Sequence, residues 1–146
     1  MQLITIAIGC DHAGYPYKTA IKQLLAQRGL EVLDFGTDGP ESVDYPDFVH
    51  PTAEAVESGR AQRGIVLCGS GNGVAITANK HQGIRCALCW QRDIARLARE
   101  HNNANVIALP VRYVAEPLAL DMVADFLDTE FAGGRHQRRV DKMACA

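Results

Sequence analysis

Gly64-Ile65-Val66-Leu67-Cys68-Gly69-Ser70-Gly71-Asn72-Gly73-Val74-Ala75-Ile76-Thr77-Ala78-Asn79-Lys80 reads as a strand, a glycine loop and a helix. The apolar run Ile65 to Cys68 fits a strand buried on both faces. Gly69, Gly71 and Gly73 then free the backbone to take positive φ and to approach a ligand closely. Apolar residues at helical spacing from Val74 to Lys80 place the loop at a helix N-terminus, where unpaired N–H groups and the macrodipole favour an anion. Cys68 stands at the mouth of that field, as a candidate base or nucleophile whose thiol ionises more readily than a free one, or as a small core residue ending a strand. The loop lacks the third glycine of a dinucleotide fingerprint and the Gly-Lys-Ser/Thr ending of a P-loop, so neither nucleotide motif is matched.

Outward from this stretch the chain alternates. Leu3 to Gly9 is a β-branched apolar run and predicts a strand, followed by Cys10-Asp11-His12-Ala13-Gly14. Tyr15 to Arg28 carries an apolar stripe and predicts a helix stopped by Gly29. Glu31 to Phe35 reads as a strand, 36–46 as a loop, and Asp47 as the cap of a helix running to Ser58. Ile84 to Trp90 and Asn105 to Leu109 read as strands, Asp93 to His101 and Ala115 to Thr129 as helices. This alternation predicts an α/β fold with three layers, a five-stranded parallel Rossmann-like sheet between helices, and a ligand site at the carboxyl ends of the strands. If the first and third strands are neighbours, Asp11 and His12 meet Cys68. The basic segment after Gly133-Gly134 has no strand before it and reads as an appended arm, 133–146, on a single domain of 1–146.

At 146 residues with 47% hydrophobic and 22% charged, the chain is long enough for a substantial core. A formal net charge of -2 argues against nucleic acid or an anionic membrane held by bulk charge, and no run is long enough to span a bilayer. The N-terminus lacks the basic region of a signal peptide. Five cysteines, an odd number, suggest free thiols in a reducing compartment, and a cytoplasmic protein is expected.

Other residues carry candidate chemistry. Asp11-His12 can serve as acid, base or phosphate contact, or merely cap a turn. His101 ends a helix, where an imidazole is often a dipole partner, but its position before the fifth strand permits a site role. Cys86-x-x-Cys89 has the look of a redox or zinc half-motif without the second pair that zinc needs. Arg135 and Arg139 are four apart; on a helix they share a side and can grip one phosphate.

Together, Gly9-Cys10-Asp11-His12-Ala13-Gly14, Asp44-Tyr45-Pro46, Cys68-Gly69-Ser70-Gly71-Asn72-Gly73, Ala78-Asn79-Lys80-x-x-Gly83-Ile84-Arg85, Arg99-Glu100-His101-Asn102-Asn103-x-Asn105-Val106 and Gly134-Arg135-His136-Gln137-x-Arg139-Val140 resemble the ribose-5-phosphate isomerase B family, in family order over nearly the whole chain. The family also holds isomerases of allose 6-phosphate, galactose 6-phosphate and four-carbon ketose phosphates. The resemblance implies interconversion of an aldose and a ketose phosphate through a cis-enediolate, with no metal and no cofactor. It assigns Cys68 as the base, since Val74 stands where some members carry a glutamate, and His101 as the residue that opens the furanose ring. Ser70 and the amides of Gly69, Gly71, Asn72, Gly73 and Val74 would hold the enediolate oxygen. Asp11, Tyr45 and Asn102 would surround the sugar, and His12, Arg112, Arg135 and Arg139 the phosphate. It further implies a homodimer or homotetramer, with the His101 to Arg112 side of each site coming from the partner chain. Leu109-Pro110-Val111 departs from the small residues usual before that arginine, and proline removes a donor there. Rival readings are the same chemistry on a four- or six-carbon sugar phosphate, a non-catalytic partner subunit, and a nucleotide-binding module.

Overall fold

The computed structural model describes residues 2–145, so both ends of the expected domain, Met1 and Ala146, lie outside the described residues. In chain order the elements are β1 (Thr5–Cys10), α1 (Tyr15–Gln27), β2 (Glu31–Asp34), α2 (Pro46–Glu57), β3 (Arg63–Cys68), α3 (Asn72–Ala78), β4 (Cys86–Leu88), α4 (Arg92–Asn102), β5 (Val106–Pro110), α5 (Glu116–Asp128) and α6 (Arg135–Asp141). The five strands form one parallel sheet in the order β2-β1-β3-β5-β4. The α/β three-layer arrangement expected from the alternation is therefore present, and the first and third strands are neighbours.

Alternation along the central strands decides which helices cover which face. Ile6, Ile8, Ile65, Leu67, Ile107 and Leu109 point one way and pack with Ile21 and Leu25 of α1 and with Met122 and Phe126 of α5. Ala7, Val66, Val106 and Ala108 point the other way, with Cys68, and meet Val49 and Ala53 of α2 and Val74 and Ala78 of α3. The second face is built from smaller side chains. All three central strands are buried along their whole length, whereas β2 and β4 are partly exposed, as suits strands at the sheet edges. Each large apolar side chain taken fully out of water contributes about 1.5–3 kcal/mol before entropy is counted.

The differences from the sequence reading are at element ends. The strand expected over Ile84 to Trp90 pairs only from Cys86 to Leu88. Asp47 does not cap α2: the helix opens on Pro46, the N-cap position is Tyr45, and no side chain caps it. Proline needs no N–H partner at that position, so the first turn forms without the aspartate.

A buried cation fixes the loop that leads to the site. Lys18 of α1, whose side chain is 3% exposed, donates to Asp34 Oδ1 at 2.9 Å, Asp38 Oδ1 at 2.8 Å and the Thr37 carbonyl at 2.6 Å. Burial works against its ammonium, but the hydrogen bonds to Asp38 and Asp34 outweigh that and hold its pKa above the ordinary lysine value. Burial likewise disfavours the Asp34 carboxylate, yet Lys18, Lys22 and the Gly36 N–H together bring its pKa below 3.8. The stability Asp34 contributes is thus complete above that value and drains away as the pH falls through its lower folded pKa. Lys18→Met removes one member of a buried network, at an expected cost of about 3 kcal/mol. A melting temperature lower by roughly 6–12 °C is expected. An unchanged melting curve would show that Lys22 alone satisfies Asp34.

Candidate active site

The chain leaves β1 toward α1 on one face of the sheet and leaves β3 toward α3 on the other, so a crevice opens between the two strand ends. Cys10 pairs with Leu67 across it, and the Asp11 N–H donates to the Leu67 carbonyl at 3.3 Å. Asp11 is 7% exposed. Its Oδ1 accepts from the N–H groups of Ala13 (2.9 Å) and Gly14 (3.1 Å), which shapes the turn into α1 and fixes the carboxylate beside Cys68.

The two strand-end thiols have different surroundings. Cys10 faces the α1 layer, fully enclosed, and burial pushes its pKa up to about 11 against the field of Lys18. Cys68 faces the α2 and α3 layer and borders a cavity of about 330 Å³. Asp11, Tyr45, Gly69, Ser70 and Gly73 share its wall, with Arg112 and Tyr113 on the same rim. Gly71, buried, and Asn72, exposed, belong to the loop but do not line that cavity. Gly71 caps α3 with φ +76°, and a Cβ on it would run into Leu88 Cδ1. A Cβ on Gly73 would run into the Tyr45 ring, so the glycine lets that ring rest against the start of the helix. Ser70 Oγ accepts from the Asn72 N–H at 3.2 Å, which holds the loop closed.

His12 lines an adjoining cavity that shares Asp11 and Tyr45. Its Nδ1 accepts from the Val43 N–H at 3.2 Å, so the neutral ring carries its proton on Nε2 and can donate outward. Val43 and Tyr45 both sit in the loop that follows the segment bonded by Lys18.

His101 is elsewhere. It occupies the last turn of α4, and the chain then enters β5 at the amino edge of the sheet, where the Gly64 N–H donates to the Asn105 carbonyl at 2.9 Å. From Gly64 to Cys68 the extended strand spans about 13 Å. His101 and Cys68 of one chain therefore stand at opposite ends of the sheet. Beside His101 lies α6: the ring of His136 stacks on it, centroids 4.3 Å apart and planes within 14°. Burial and then the charges of His101, Arg135 and Arg139 hold His136 below its ordinary pKa, which places both arginines in the same neighbourhood. Asn102 is exposed at the end of α4. Among the described residues, Arg112, Arg135 and Arg139 form no ion pair with any carboxylate.

Arg112 corrects one expectation. The resemblance groups it with His101 on the partner's side, but β5 runs between them. Pro110 ends β5 opposite Cys68, the Arg112 N–H donates to the Gly69 carbonyl at 3.0 Å, and its side chain lies across Gly69 of its own chain. Tyr113, 78% exposed, was not singled out by the sequence; its place in a loop leaving a strand's carboxyl end was the available signal. Cys86 and Cys89 are free thiols with pKa values raised by burial, Cys89 to about 12, which makes them poor nucleophiles.

A family model described as ribose/galactose isomerase matches residues 6–143. The chain belongs to that family. The ribose-5-phosphate isomerase B of Clostridium thermocellum superposes with a TM-score of 0.94 at 55% identity, covering 96% of this chain and 95% of that one. The Mycoplasma genitalium ribose-5-phosphate isomerase B with bound ribulose 5-phosphate gives 0.93 at 40%, covering 96% and 93%. A D-erythrulose-4-phosphate isomerase of Pectobacterium atrosepticum is 43% identical over 142 residues, 97% of this chain and 93% of the relative. This member of the ribose/galactose isomerase family is accordingly an enzyme of the isomerase class, a sugar-phosphate aldose-ketose isomerase. No helix among the described residues is long and apolar enough to cross a membrane.

Proposed function

We infer that the whole chain is one isomerase domain, with 133–146 as its arm, and that it interconverts ribose 5-phosphate and ribulose 5-phosphate in a site completed by a second copy. The observation that supports this is the separation of Cys68 from His101 along the sheet. One end of the chain offers a base, a sugar cavity and His12; the other offers an imidazole and two unpaired arginines on α6. Two chains set end to end supply both halves to one substrate, and a twofold axis makes two such sites.

In that site His101 of the second copy moves the hydroxyl proton to the ring oxygen and opens the furanose. The Cys68 thiolate takes the proton from C2 of the aldose, the C2–H electron pair becomes the C1–C2 double bond, and the carbonyl oxygen becomes an enediolate. The O2 hydroxyl proton passes to O1 within the enediolate, and the same thiol then delivers its proton to C1 as the C2 carbonyl forms. Ser70 and the loop amides stabilise the oxygen as its charge develops. His12 and Arg112 from one chain, with Arg135 and Arg139 from the other, hold the phosphate, which fixes C1 and C2 relative to Cys68.

The ribulose 5-phosphate bound in the Mycoplasma genitalium structure favours a five-carbon substrate. A second reading, a four-carbon ketose phosphate, has its own support in the Pectobacterium relative. The deciding measurement is kcat/KM over ribose 5-phosphate, erythrulose 4-phosphate, allose 6-phosphate and galactose 6-phosphate. Ribose 5-phosphate is expected to lead by at least about tenfold, the discrimination that one well-packed carbon unit supplies. A lead for any of the other three would replace the substrate while leaving the chemistry.

A further inference from the structure

At the amino ends of the strands, across the sheet from Cys68, lies a cavity of about 700 Å³. Arg63 from the start of β3, Arg85 just ahead of β4 and Arg99 from the last turn of α4 all line it. Arg63 and Arg99 are only 7% and 4% exposed. Among the described residues none of the three has a carboxylate bound to it.

Their hydrogen bonds run mostly to carbonyls at helix ends. Arg63 Nη1 donates to the Phe126 carbonyl at 2.8 Å, Arg85 Nε to that of Asn103 at 2.8 Å, and Arg99 to those of Thr129 (3.1 Å) and Ala104 (2.7 Å) and to Asn103 Oδ1 (2.8 Å). Cations there complement the negative ends of α4 and α5. That accounts for their presence but not for their surplus. A guanidinium has five N–H donors, and Arg63 and Arg85 each use one. No fully buried side-chain nitrogen among the described residues lacks a partner, so the guanidinium nitrogens of Arg63 and Arg85 that make no hydrogen bond are not fully enclosed.

The acids on the same wall do not balance the charge. Asp128 is held by Arg28 at 2.6 and 3.1 Å, and Glu130 is exposed. Burial, then the charge of Arg99, brings Arg63 down to about 10. Burial, then Arg85, lowers Arg99, with Glu130 a weaker opposing influence. The cations feel one another more than any acid, and buried charges of one sign call for a counterion.

We propose that this cavity binds a small multivalent oxyanion, a phosphorylated or polycarboxylate metabolite, through Arg63, Arg85 and Arg99. Forked guanidinium donors match both groups, and the volume suits a metabolite. The site is distinct from the substrate phosphate grip, which uses none of these residues.

The test titrates inorganic pyrophosphate and, separately, citrate into the full chain by calorimetry. Three proteins are compared: wild type, Arg63→Gln, and the double variant Arg135→Ala with Arg139→Ala. At least one probe should bind wild type and the double variant saturably, and bind Arg63→Gln at least about tenfold more weakly. A preference for pyrophosphate or for citrate then tells phosphoryl from carboxylate ligands. Isomerase turnover of Arg63→Gln should stay near wild type. Binding lost in the double variant and kept in Arg63→Gln would put the anion in the substrate site and overturn the proposal, as would no saturable binding of either probe. Should Arg63→Gln fail to fold, Arg85→Gln makes the same comparison. If neither probe binds and Arg63→Gln changes the sedimentation of the protein, the arginines serve contacts between copies and the proposal fails.

Discussion

Cys68→Ala should lower kcat by about a thousandfold or more while the protein still binds ribose 5-phosphate, because a positioned general base contributes on the order of 10²–10⁴. The argument is geometric. Of the two thiols that end neighbouring strands, Cys10 is enclosed in the α1 layer and held protonated by burial, and Cys68 borders the cavity. A thousandfold loss corresponds to about 4 kcal/mol of transition-state stabilisation. The loss should fall on kcat and not on KM, since Asp11, Tyr45 and the phosphate contacts remain in place. In deuterated water the wild type should carry label into C1 of the ketose, and Cys68→Ala should not. Turnover within a fewfold of wild type in the alanine variant would sink the assignment. Another group would then have to move the proton, and Asp11, fixed at the same crevice, would be the first to examine.

The second large effect is complementation. His101→Ala and Cys68→Ala should each be nearly inactive alone, yet a mixture that has exchanged subunits should recover about a quarter of wild-type activity. With random pairing, half the dimers are mixed, and each mixed dimer has one intact site of two. Exchange must be shown independently, for instance by mass spectrometry of differently tagged chains. Verified mixed dimers without activity would mean that His101 acts within its own chain or not at all. The recovered rate should also carry the wild-type KM, because every contact in the intact site is native.

Much of this was legible in the residues. The strand, glycine loop and helix around Cys68 follow from hydrophobic runs and glycine spacing, and the meeting of Asp11 with Cys68 follows once β1 and β3 are adjacent. Element ends were less legible. Ile84, Arg85 and Trp90 look like strand residues, but β4 is an edge strand whose ladder register with β5 covers only Cys86 to Leu88, with backbone bonds at Arg85 and Cys89 beyond it. Pro46 opened α2 where Asp47 had the better capping credentials, because a proline at the first helical position needs no N–H partner and the turn forms without a side-chain cap. The opposite placement of His101 and Arg112 was hidden for a different reason. They are close in sequence, and only the direction of α4 and the full length of β5 send them to different edges. The arginine-lined cavity was invisible for the same cause: Arg63, Arg85 and Arg99 are scattered along the chain and converge only when β3, β4 and α4 are in place.

The distance between Cys68 and His101 has a consequence for how such an enzyme is governed. On the proposed reading a lone folded chain carries two half-sites that face away from each other, so it is catalytically silent however well it is folded. Specific activity then becomes a function of concentration: it collapses on dilution below the self-association constant, and returns with a lag set by second-order encounter when the protein is concentrated again. In a cell that makes both intact and damaged copies, a subunit lacking either half does not merely idle. In a mixed dimer it spoils one of two sites and completes the other, so under random pairing activity falls by its own share of the protein, and only copies damaged in different halves restore each other.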